Sequence, residues 1–469
     1  MLSSFAPLFY FSKLFGIVPY SFSEFYNNRV LKPSTIGNIW PLVNIAVYSV
    51  SYHITTQLYS LSDNVHASTL TTAIGIFITY MTPTMMISDL LIGIVNQHKL
   101  ISFFDRFKKV DERLARESIR CCNNALTLRI RALLAVTFLG ECILAILSFY
   151  FFHDPRNLES LLVFVAAIPT LVTTIEKVWF ASLLFALKER FEAVNTYLDQ
   201  TVDNYVQKNR INEMLNDSDS WDLGYLHKEI FMKNPQYVSS VKKPNKIIPV
   251  VPWDETIPVK VYNEEKKPNP EQKESDLNDT LKMEVRLNGF CQIHDEICEL
   301  GKLLNRMWSL QMLLLMAYGF MSITAQFYFL YCNIVNQNIP VLFRSARNVV
   351  ISSIFIVYTA GKCVYVIYLS WQTKLEARKT GVCYHKIANA VDENNFYEII
   401  NHLSLKLLNH TVNFTACGFF DLDMTTLYSV TGAITSYLII LIQFNLAAHR
   451  TKRPDNNSLI TTTSTQPTL

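Results

Sequence analysis

Long runs of uncharged, mostly apolar residues constrain this 469-residue chain more than any other feature. A helix needs about 20 such residues to cross the hydrocarbon core of a bilayer. No Asp, Glu, Lys or Arg occurs between Ser34 and Ser62 or between Met307 and Phe343. The sequence therefore predicts an all-α membrane protein with seven transmembrane helices. The predicted spans cover approximately residues 36–60, 68–95, 127–152, 160–187, 307–333, 346–372 and 424–447.

The composition agrees with a chain that lies largely in a membrane. Only 17% of the residues are charged and the mean hydropathy is +0.17, whereas a soluble domain carries about a quarter charged residues. The net charge of +3 is too small to indicate nucleic-acid binding, and no basic stripe with interleaved aromatic residues occurs. The nine cysteines form no CxxC pair. We therefore expect free thiols and no bound metal or cofactor.

The distribution of lysine and arginine predicts the orientation, because cytoplasmic loops carry an excess of both residues. When the N-terminus is placed in the cytoplasm, the cytoplasmic segments hold 32 of the 42 lysines and arginines. With seven spans, the C-terminus then lies outside the cell. This orientation argues against a G-protein-coupled receptor, which has its N-terminus outside.

The distribution of apolar, charged and proline residues divides the chain into six segments. The segment 209–285 holds seven of the 17 prolines and several charge runs, so it is predicted to be a disordered cytoplasmic loop that cannot bury enough apolar surface to fold. The complete prediction is a cytoplasmic N-terminal segment at 1–35, helices one to four with a cytoplasmic extension at 36–208, the loop at 209–285, helices five and six with a cytoplasmic anchor at 286–423, the seventh helix at 424–448 and an extracellular tail at 449–469.

The seventh span carries small and hydroxylated residues on one face. Ser429, Ala433, Ser436, Ile440 and Gln443 recur at intervals of four, three, four and three residues, which places them on the same side of a helix. Such a face suits the lining of a hydrated pore that a ring at Ile440 and Gln443 closes by dewetting. The alternative interpretation is close packing between helices, which small residues permit. A pore also requires several subunits around one axis, because a lone helix cannot enclose water.

The same span resembles a known family. Ser436 and Tyr437, five hydrophobic residues and then Gln443 and Phe444 look like the C-terminal signature of the insect gustatory receptors, with serine in place of the usual threonine. The longer stretch 417–448 is similar to the fructose-sensing branch of that family.

The resemblance implies a ligand-gated, non-selective cation channel subunit of the insect chemoreceptor type in the plasma membrane. Four identical copies would surround a pore for Na⁺, K⁺ and Ca²⁺, lined by the seventh helix, and each copy would hold its own ligand pocket. Carried over by position, Gln443 and Phe444 belong to the outer gate, and Ile440 belongs to the constriction a helical turn below it. The residues expected to form the pore and gate are Gln443, Phe444, Ile440, Ser436, Ala433 and Ser429.

A site for a sugar such as fructose needs hydrogen-bonding groups and aromatic faces in a concave, mostly dry place. The outer halves of spans two to six are expected to supply both. The candidate ligand-binding residues are Tyr80, Thr84, Glu176, Trp179, Gln326, Tyr328, Tyr331 and Tyr358. For each aromatic residue the alternative is core packing or a place in an interfacial belt.

Charged residues inside spans are costly, so they indicate either a functional site or pairing between helices. Five lie well inside the spans, three acids and two bases: Asp89, Glu141, Glu176, Lys177 and Lys362. Glu176 lies one helical turn from Trp179, and we expect it to contact a ligand.

Other function classes have less support. An enzyme is not indicated, because the sequence has no histidines paired at metal-ligand spacing, no Gly-rich phosphate loop and no nucleophile elbow. A secondary transporter stays open, since buried charges also suit ion coupling. A bitter-compound receptor of the same superfamily would share the pore and differ in the pocket. The main prediction is a sugar-gated cation channel with fructose as its preferred ligand.

Overall fold

A computed structural model describes residues 2–28, 30–62, 69–119, 123–151, 162–217, 270–335, 349–390 and 394–451. These residues are almost entirely helical. A 3₁₀ helix at Leu2–Phe5 is followed by α1 (Ala6–Leu14), α2 (Phe22–Asn28), α3 (Thr35–Ser62), α4 (Thr69–Val95), α5 (Gln97–Arg116), α6 (Asn123–Phe151), α7 (Leu162–Asp217), α8 (Pro270–Ile334), α9 (Val349–Ala390), α10 (Asn394–Asn409) and α11 (Met424–Thr451).

Among the described residues, six helices are long and apolar enough to cross a membrane, namely α4, α6, α7, α8, α9 and α11. They contain six of the seven predicted spans. The remaining span, 36–60, lies on α3, which is 28 residues long and uncharged but carries Asn38, Asn44 and His53. These polar side chains lower the hydropathy of α3. The number of seven spans and the orientation of the termini therefore stay predictions.

Three helices are much longer than a bilayer requires. α7, α8 and α9 have 56, 65 and 42 residues, although about 20 suffice to span the hydrocarbon core. Their polar portions pack against one another and against α5 and α10. The helices of these spans therefore continue without a break beyond the predicted span ends, and their role as a cytoplasmic anchor stays a prediction.

The segment between α7 and α8 is shorter than the predicted loop 209–285. α7 continues to Asp217, and α8 begins at Pro270, a residue that suits the first position of a helix. Adding a residue to an existing helix costs less than nucleating a new one, which explains the longer helices. The rest of this loop lies outside the described residues, as does the predicted tail beyond Thr451, where α11 ends.

The N-terminal segment packs against the helix bundle. Phe5, Leu8 and Phe9 are completely buried, and Phe5 stacks on Trp179 of α7 with ring centroids 5.7 Å apart. The indole N–H of Trp179 donates to the Ser12 hydroxyl at 2.8 Å. Burial of each large apolar side chain contributes about 1.5–3 kcal/mol, so this segment is firmly attached to the end of the bundle where the long helices leave the spans.

Candidate functional site

An ordered turn leads into α11, the predicted pore helix. Cys417 and Gly418 have φ angles of 52° and 77°, and the amide of Leu422 donates to the carbonyl of Phe414 across the turn. Glycine adopts a positive φ without strain, which explains its place here. The turn thus holds the start of α11 against the anchor.

Asp423 is the N-cap of α11. Its carboxylate accepts hydrogen bonds from the backbone N–H groups of Thr425 and Thr426 at 3.0 and 3.1 Å, which satisfies donors that a helix leaves unpaired at its start. The hydroxyl of Thr425 also donates to this carboxylate, and these bonds hold the pKa of Asp423 below its ordinary value. The cap fixes where the helix begins.

One side of α11 packs along α8. Five aliphatic residues are half-buried on this side, and they were expected to face neighbouring helices or lipid: Leu427, Val430, Ile434, Leu438 and Leu441. They recur at helical spacing, so they form a continuous stripe. The packing of α11 therefore follows the pattern that the sequence indicates.

The predicted pore face lies on another side of α11. Ser429, Ser436, Ile440 and Gln443 are exposed and Ala433 is half-buried, while Phe444 is 63% exposed. The hydroxyls of Ser429 and Ser436 donate to backbone carbonyls one turn earlier. Among the described residues of a single chain, no helix covers this face.

A buried polar contact joins the far end of α11 to α8 and α4. The amide of Asn445 donates to the Tyr328 hydroxyl at 2.8 Å, and that hydroxyl lies 3.3 Å from the Thr71 hydroxyl. The ring of Tyr331 stacks near that of Tyr328 at 6.5 Å. Two predicted sugar-binding residues thus pack beside the predicted gate segment.

Three further predicted sugar-binding residues lie elsewhere. Gln326 accepts a hydrogen bond from the Ser352 hydroxyl at 3.2 Å. Tyr80 lies 3.1 Å from a ring nitrogen of His53, and the Thr84 hydroxyl donates to the backbone carbonyl of Tyr80. These contacts join α8 to α9 and α4 to α3, and the structure does not bring the three residues together.

A small cavity lies between α4, α7, α8 and α9. Its volume is about 20 Å³, enough for one water molecule. Threonines, lysines and a tyrosine line it, together with two apolar side chains. The lining residues are Thr82, Met85, Thr170, Thr173, Thr174, Lys177, Leu315, Tyr318, Thr359 and Lys362. None of the eight predicted sugar-binding residues is among them. We call it the threonine cavity.

Two ion pairs flank the threonine cavity. Lys177 of α7 contacts both carboxylate oxygens of Asp89 on α4 at 2.9 and 3.0 Å. Lys362 of α9 lies 3.0 Å from the carboxylate of Glu141 on α6, which also accepts a hydrogen bond from the Thr174 hydroxyl at 2.6 Å. Pairing between helices thus accounts for four of the five charged residues that lie well inside the spans.

Tyr358 belongs to the second of these pairs. Its hydroxyl donates to the carboxylate of Glu141 at 3.2 Å, and the ammonium of Lys362 lies 4.6 Å from the centre of its ring. A cation over an aromatic face is stabilised by the ring quadrupole. This predicted sugar-binding residue therefore supports a lysine that lines the threonine cavity.

Glu176 and Trp179 line a different cavity, of about 30 Å³, beside the N-terminal segment. In the predicted orientation this is the cytoplasmic end of the spans. They were expected in the outer halves of the spans, whereas Trp179 packs against Phe5 and donates a hydrogen bond to Ser12 in the N-terminal segment.

The threonines that line the threonine cavity were missed as candidates. Thr170, Thr173, Thr174 and Lys177 occupy positions i, i+3, i+4 and i+7, so they share one face of α7. This hydroxyl stripe was visible in the sequence. It was not among the candidates, because these were chosen mainly as aromatic residues that could contact a sugar.

The chain is similar in sequence to known proteins. The chain matches the family model described as 7tm Chemosensory receptor over residues 5–231 and 259–448. It is 43% identical to the Gustatory receptor for bitter taste 66a of Drosophila melanogaster over an alignment of 480 residues, 96% of this chain and 90% of that protein. It is 28% identical to the Putative gustatory receptor 28a of Drosophila melanogaster over 178 residues, 38% of this chain and 40% of that protein.

The fold is similar to that of solved insect olfactory receptor structures. The olfactory receptor OR5 from Machilis hrabei aligns with a TM-score of 0.52 at 11% identity, covering 91% of this chain and 93% of that one. The structure of the same receptor in complex with eugenol aligns with a TM-score of 0.53 at 10% identity, covering 94% and 99%. At these identities the likeness concerns the fold alone.

Proposed function

Since this chain belongs to the 7tm chemosensory receptor family, among the insect gustatory receptors, we propose that it is a subunit of a ligand-gated, non-selective cation channel that detects bitter compounds. The observation that supports the ligand class is the 43% identity over 96% of the chain with a receptor for bitter taste. The chain is a multi-pass membrane protein, and the proposed place of action is the plasma membrane.

The expected preference for fructose is not supported by these relatives. It rested on the stretch 417–448, which forms the turn and most of α11. No residue of this stretch lines the threonine cavity. The stretch therefore reflects the shared helix of the proposed pore, whereas the ligand class depends on side chains elsewhere in the bundle. Bitter compounds replace sugars as the proposed ligands.

The threonine cavity is the proposed ligand site. Threonines, lysines and a tyrosine line it beside Met85 and Leu315, and a mostly apolar surface with a few polar groups suits an organic ligand. Because the cavity holds about one water molecule, a ligand must separate the four helices to enter. Two of them, α8 and α9, also contact α11. Ligand binding would thereby favour a different placement of the pore helix.

The exposed face of α11 is the proposed pore lining. Its hydroxyl groups and Gln443 suit contact with water, and the exposed Ile440 suits a hydrophobic constriction. Four copies around one axis would cover this face and enclose the ion path.

Expression of the chain alone in oocytes tests the ligand class. Bitter compounds are expected to evoke cation currents, and a matched panel of sugars is expected to evoke none. Responses to fructose without responses to bitter compounds would overturn the ligand class and leave the channel. Ligand uptake without currents above transporter turnover would instead favour a secondary transporter.

Two pairs of variants test the assignment of residues. Thr359→Val removes a cavity hydroxyl and is expected to weaken the response about two- to tenfold, whereas Thr196→Val, on the exposed surface of the same bundle, leaves it unchanged. Gln443→Ala is expected to alter the basal leak without removing ligand binding, whereas Leu446→Ala, on the flank of α11, does not. Equal effects within a pair would contradict the corresponding site.

A further inference from the structure

The cavity of about 30 Å³ beside the N-terminal segment has walls from several elements. Residues 17–20 close one side. The end of α4, the start of α5, and parts of α7 and α8 form the others. The volume is enough for one or two water-sized groups. It is separate from the threonine cavity, and the two share no lining residue. We call it the inner cavity.

The inner cavity contains a carboxylate that lacks an ion-pair partner among the described residues. Glu176 is only 4% exposed, and the neighbouring Lys177 is engaged by Asp89. One carboxylate oxygen of Glu176 accepts hydrogen bonds from Trp308 and Gln311. Neutral donors stabilise a carboxylate, but they do not balance its charge, and an isolated buried charge is costly.

A second acceptor in the inner cavity has no partner at all within the described structure. Gln311 is 1% exposed and lines the cavity, and its side-chain oxygen makes no hydrogen bond. The amide cannot be turned around, because its nitrogen donates to Glu176 at 3.0 Å and an oxygen in that place would face the carboxylate. Leaving a buried acceptor unpaired costs about 1–3 kcal/mol.

The donors around the inner cavity are already used. The indole N–H of Trp179 donates to Ser12, the Tyr20 hydroxyl to the carbonyl of Gln97, and the Asn96 amide to the carbonyl of Met307. What is left for a guest is a carboxylate and an amide oxygen, both acceptors. A guest that satisfies them must donate hydrogen bonds and carry a positive charge.

The aromatic and aliphatic residues that line the rest of the inner cavity suit the apolar part of such a ligand. Tyr20, Trp179 and Trp308 contribute aromatic rings, which attract cations when these are desolvated. Ile17, Val18, Ile92, Leu100 and Met307 contribute aliphatic surface. An ammonium group with a short apolar tail matches this combination.

We propose that the inner cavity is a second ligand site, which binds a primary ammonium group with a short apolar tail between Glu176 and Gln311. The head donates one hydrogen bond to the carboxylate and another to the free amide oxygen, and the tail lies on the aliphatic wall. This site goes beyond the proposed bitter-compound receptor, because it uses none of the residues of the threonine cavity.

Binding of ethylamine at neutral pH to the purified full-length chain in lipid nanodiscs tests the proposal by isothermal titration calorimetry. Saturable binding is expected. Ethanol has nearly the same size but no charge, and it is expected to bind at least about tenfold more weakly, the factor that follows from losing hydrogen bonds between charged groups. The measurement needs no current, so a failure of the channel function does not affect it.

Three variants assign the site. Glu176→Gln and Gln311→Leu are each expected to weaken amine binding about tenfold or more, whereas Glu192→Gln, which removes a carboxylate from the exposed portion of the same helix, leaves it unchanged. If Glu176→Gln does not yield folded protein by size-exclusion chromatography, Gln311→Leu decides. The absence of ethylamine binding to the unmodified chain, equal binding of ethanol, or undiminished binding to folded Glu176→Gln or Gln311→Leu would overturn the proposal.

Discussion

At the scale of single residues, four of the five charged residues well inside the spans form ion pairs between helices. Asp89 pairs with Lys177, and Glu141 pairs with Lys362, each within hydrogen-bonding distance. The first pair is the more deeply buried, with 1% and 7% of the two side chains exposed. A buried pair contributes little net stability, but the loss of one partner leaves an uncompensated charge. The pairs therefore make the spatial arrangement of four helices sensitive to single substitutions.

Lys177→Met is expected to lower the free energy of unfolding by about 3 kcal/mol, because Asp89 is left buried and charged. The double variant Asp89→Asn/Lys177→Met is expected to recover much of this loss. Thermal unfolding of the purified chain in detergent measures both. As a control, Lys188→Met breaks the more exposed pair with Glu192 on the same helix and should cost less than about 1 kcal/mol. Equal losses in the single and the double variants would contradict this account.

At the scale of elements, α11 is, together with α6, one of the two spans that the rest of the chain covers least. Only 6% of the most apolar stretch of each is buried, against 83% for α7. The half-buried stripe along α8 is aliphatic, and the exposed face is hydroxylated. The helix is thus held by its cap, its one-sided packing and the contact between Asn445 and Tyr328.

Asp423→Ala is expected to destabilise the start of α11 by about 1 kcal/mol, since two backbone N–H groups lose their acceptor. Asp423→Asn retains a cap and should lose less. The pKa of Asp423 is lowered by the Thr425 hydroxyl and the backbone N–H groups. Its stabilisation is therefore present at neutral pH and is lost as the pH falls through that lowered pKa. Thermal unfolding at pH 7 measures the difference, and identical midpoints for the three chains would refute the cap.

Cysteine labelling tests which face of α11 meets water. Ser429→Cys, Ser436→Cys and Gln443→Cys are expected to react with a membrane-impermeant thiol reagent, and the reaction should alter the current. Val430→Cys and Ile434→Cys, on the packed stripe, are the matched controls and should stay unmodified. The background chain needs Cys417→Ser, because Cys417 is an exposed free thiol. Protection of all three test positions in every state would rule out the pore face.

At the scale of the whole molecule, the long helices α7, α8 and α9 connect the spans to the anchor without a break. The turn at 414–422 returns the chain from α10 to the membrane. The turn contacts the extension of α8 through Asn305 and Thr415, so α11 begins beside the packed extensions, which the predicted orientation places inside the cell. Repetition of the chain about one axis would bury the uncovered face of α11 and surround a pore, as closed symmetric assemblies do.

We expect the purified receptor to be a homotetramer with four times the 54.0 kDa mass of one chain. Mass photometry in nanodiscs, corrected with empty discs, measures the assembly directly. A subunit number of one or two would remove the proposed pore, since too few α11 helices would be present to enclose water. The chain with Lys188→Met serves as a control for preparation, because its substitution lies away from α11.

The sequence by itself determined the helical membrane class, the places of most spans and the two faces of α11. Hydropathy and periodicity are local properties, and each can be read from about 20 consecutive residues. The long extensions of α7 and α8 were also expected. α7 ends later, at Asp217, and α8 begins earlier, at Pro270, than the predicted loop 209–285 implies.

Only the tertiary structure decided which polar residues form a site. Lys177 meets Asp89 across 88 positions of sequence, and Lys362 meets Glu141 across 221. Tyr328, Tyr358 and Trp179 turned out to support their neighbours, while the threonines of α7 enclosed a cavity. No pattern along the chain encodes these partners, because helix packing brings distant residues together and burial then requires each polar group to find a partner.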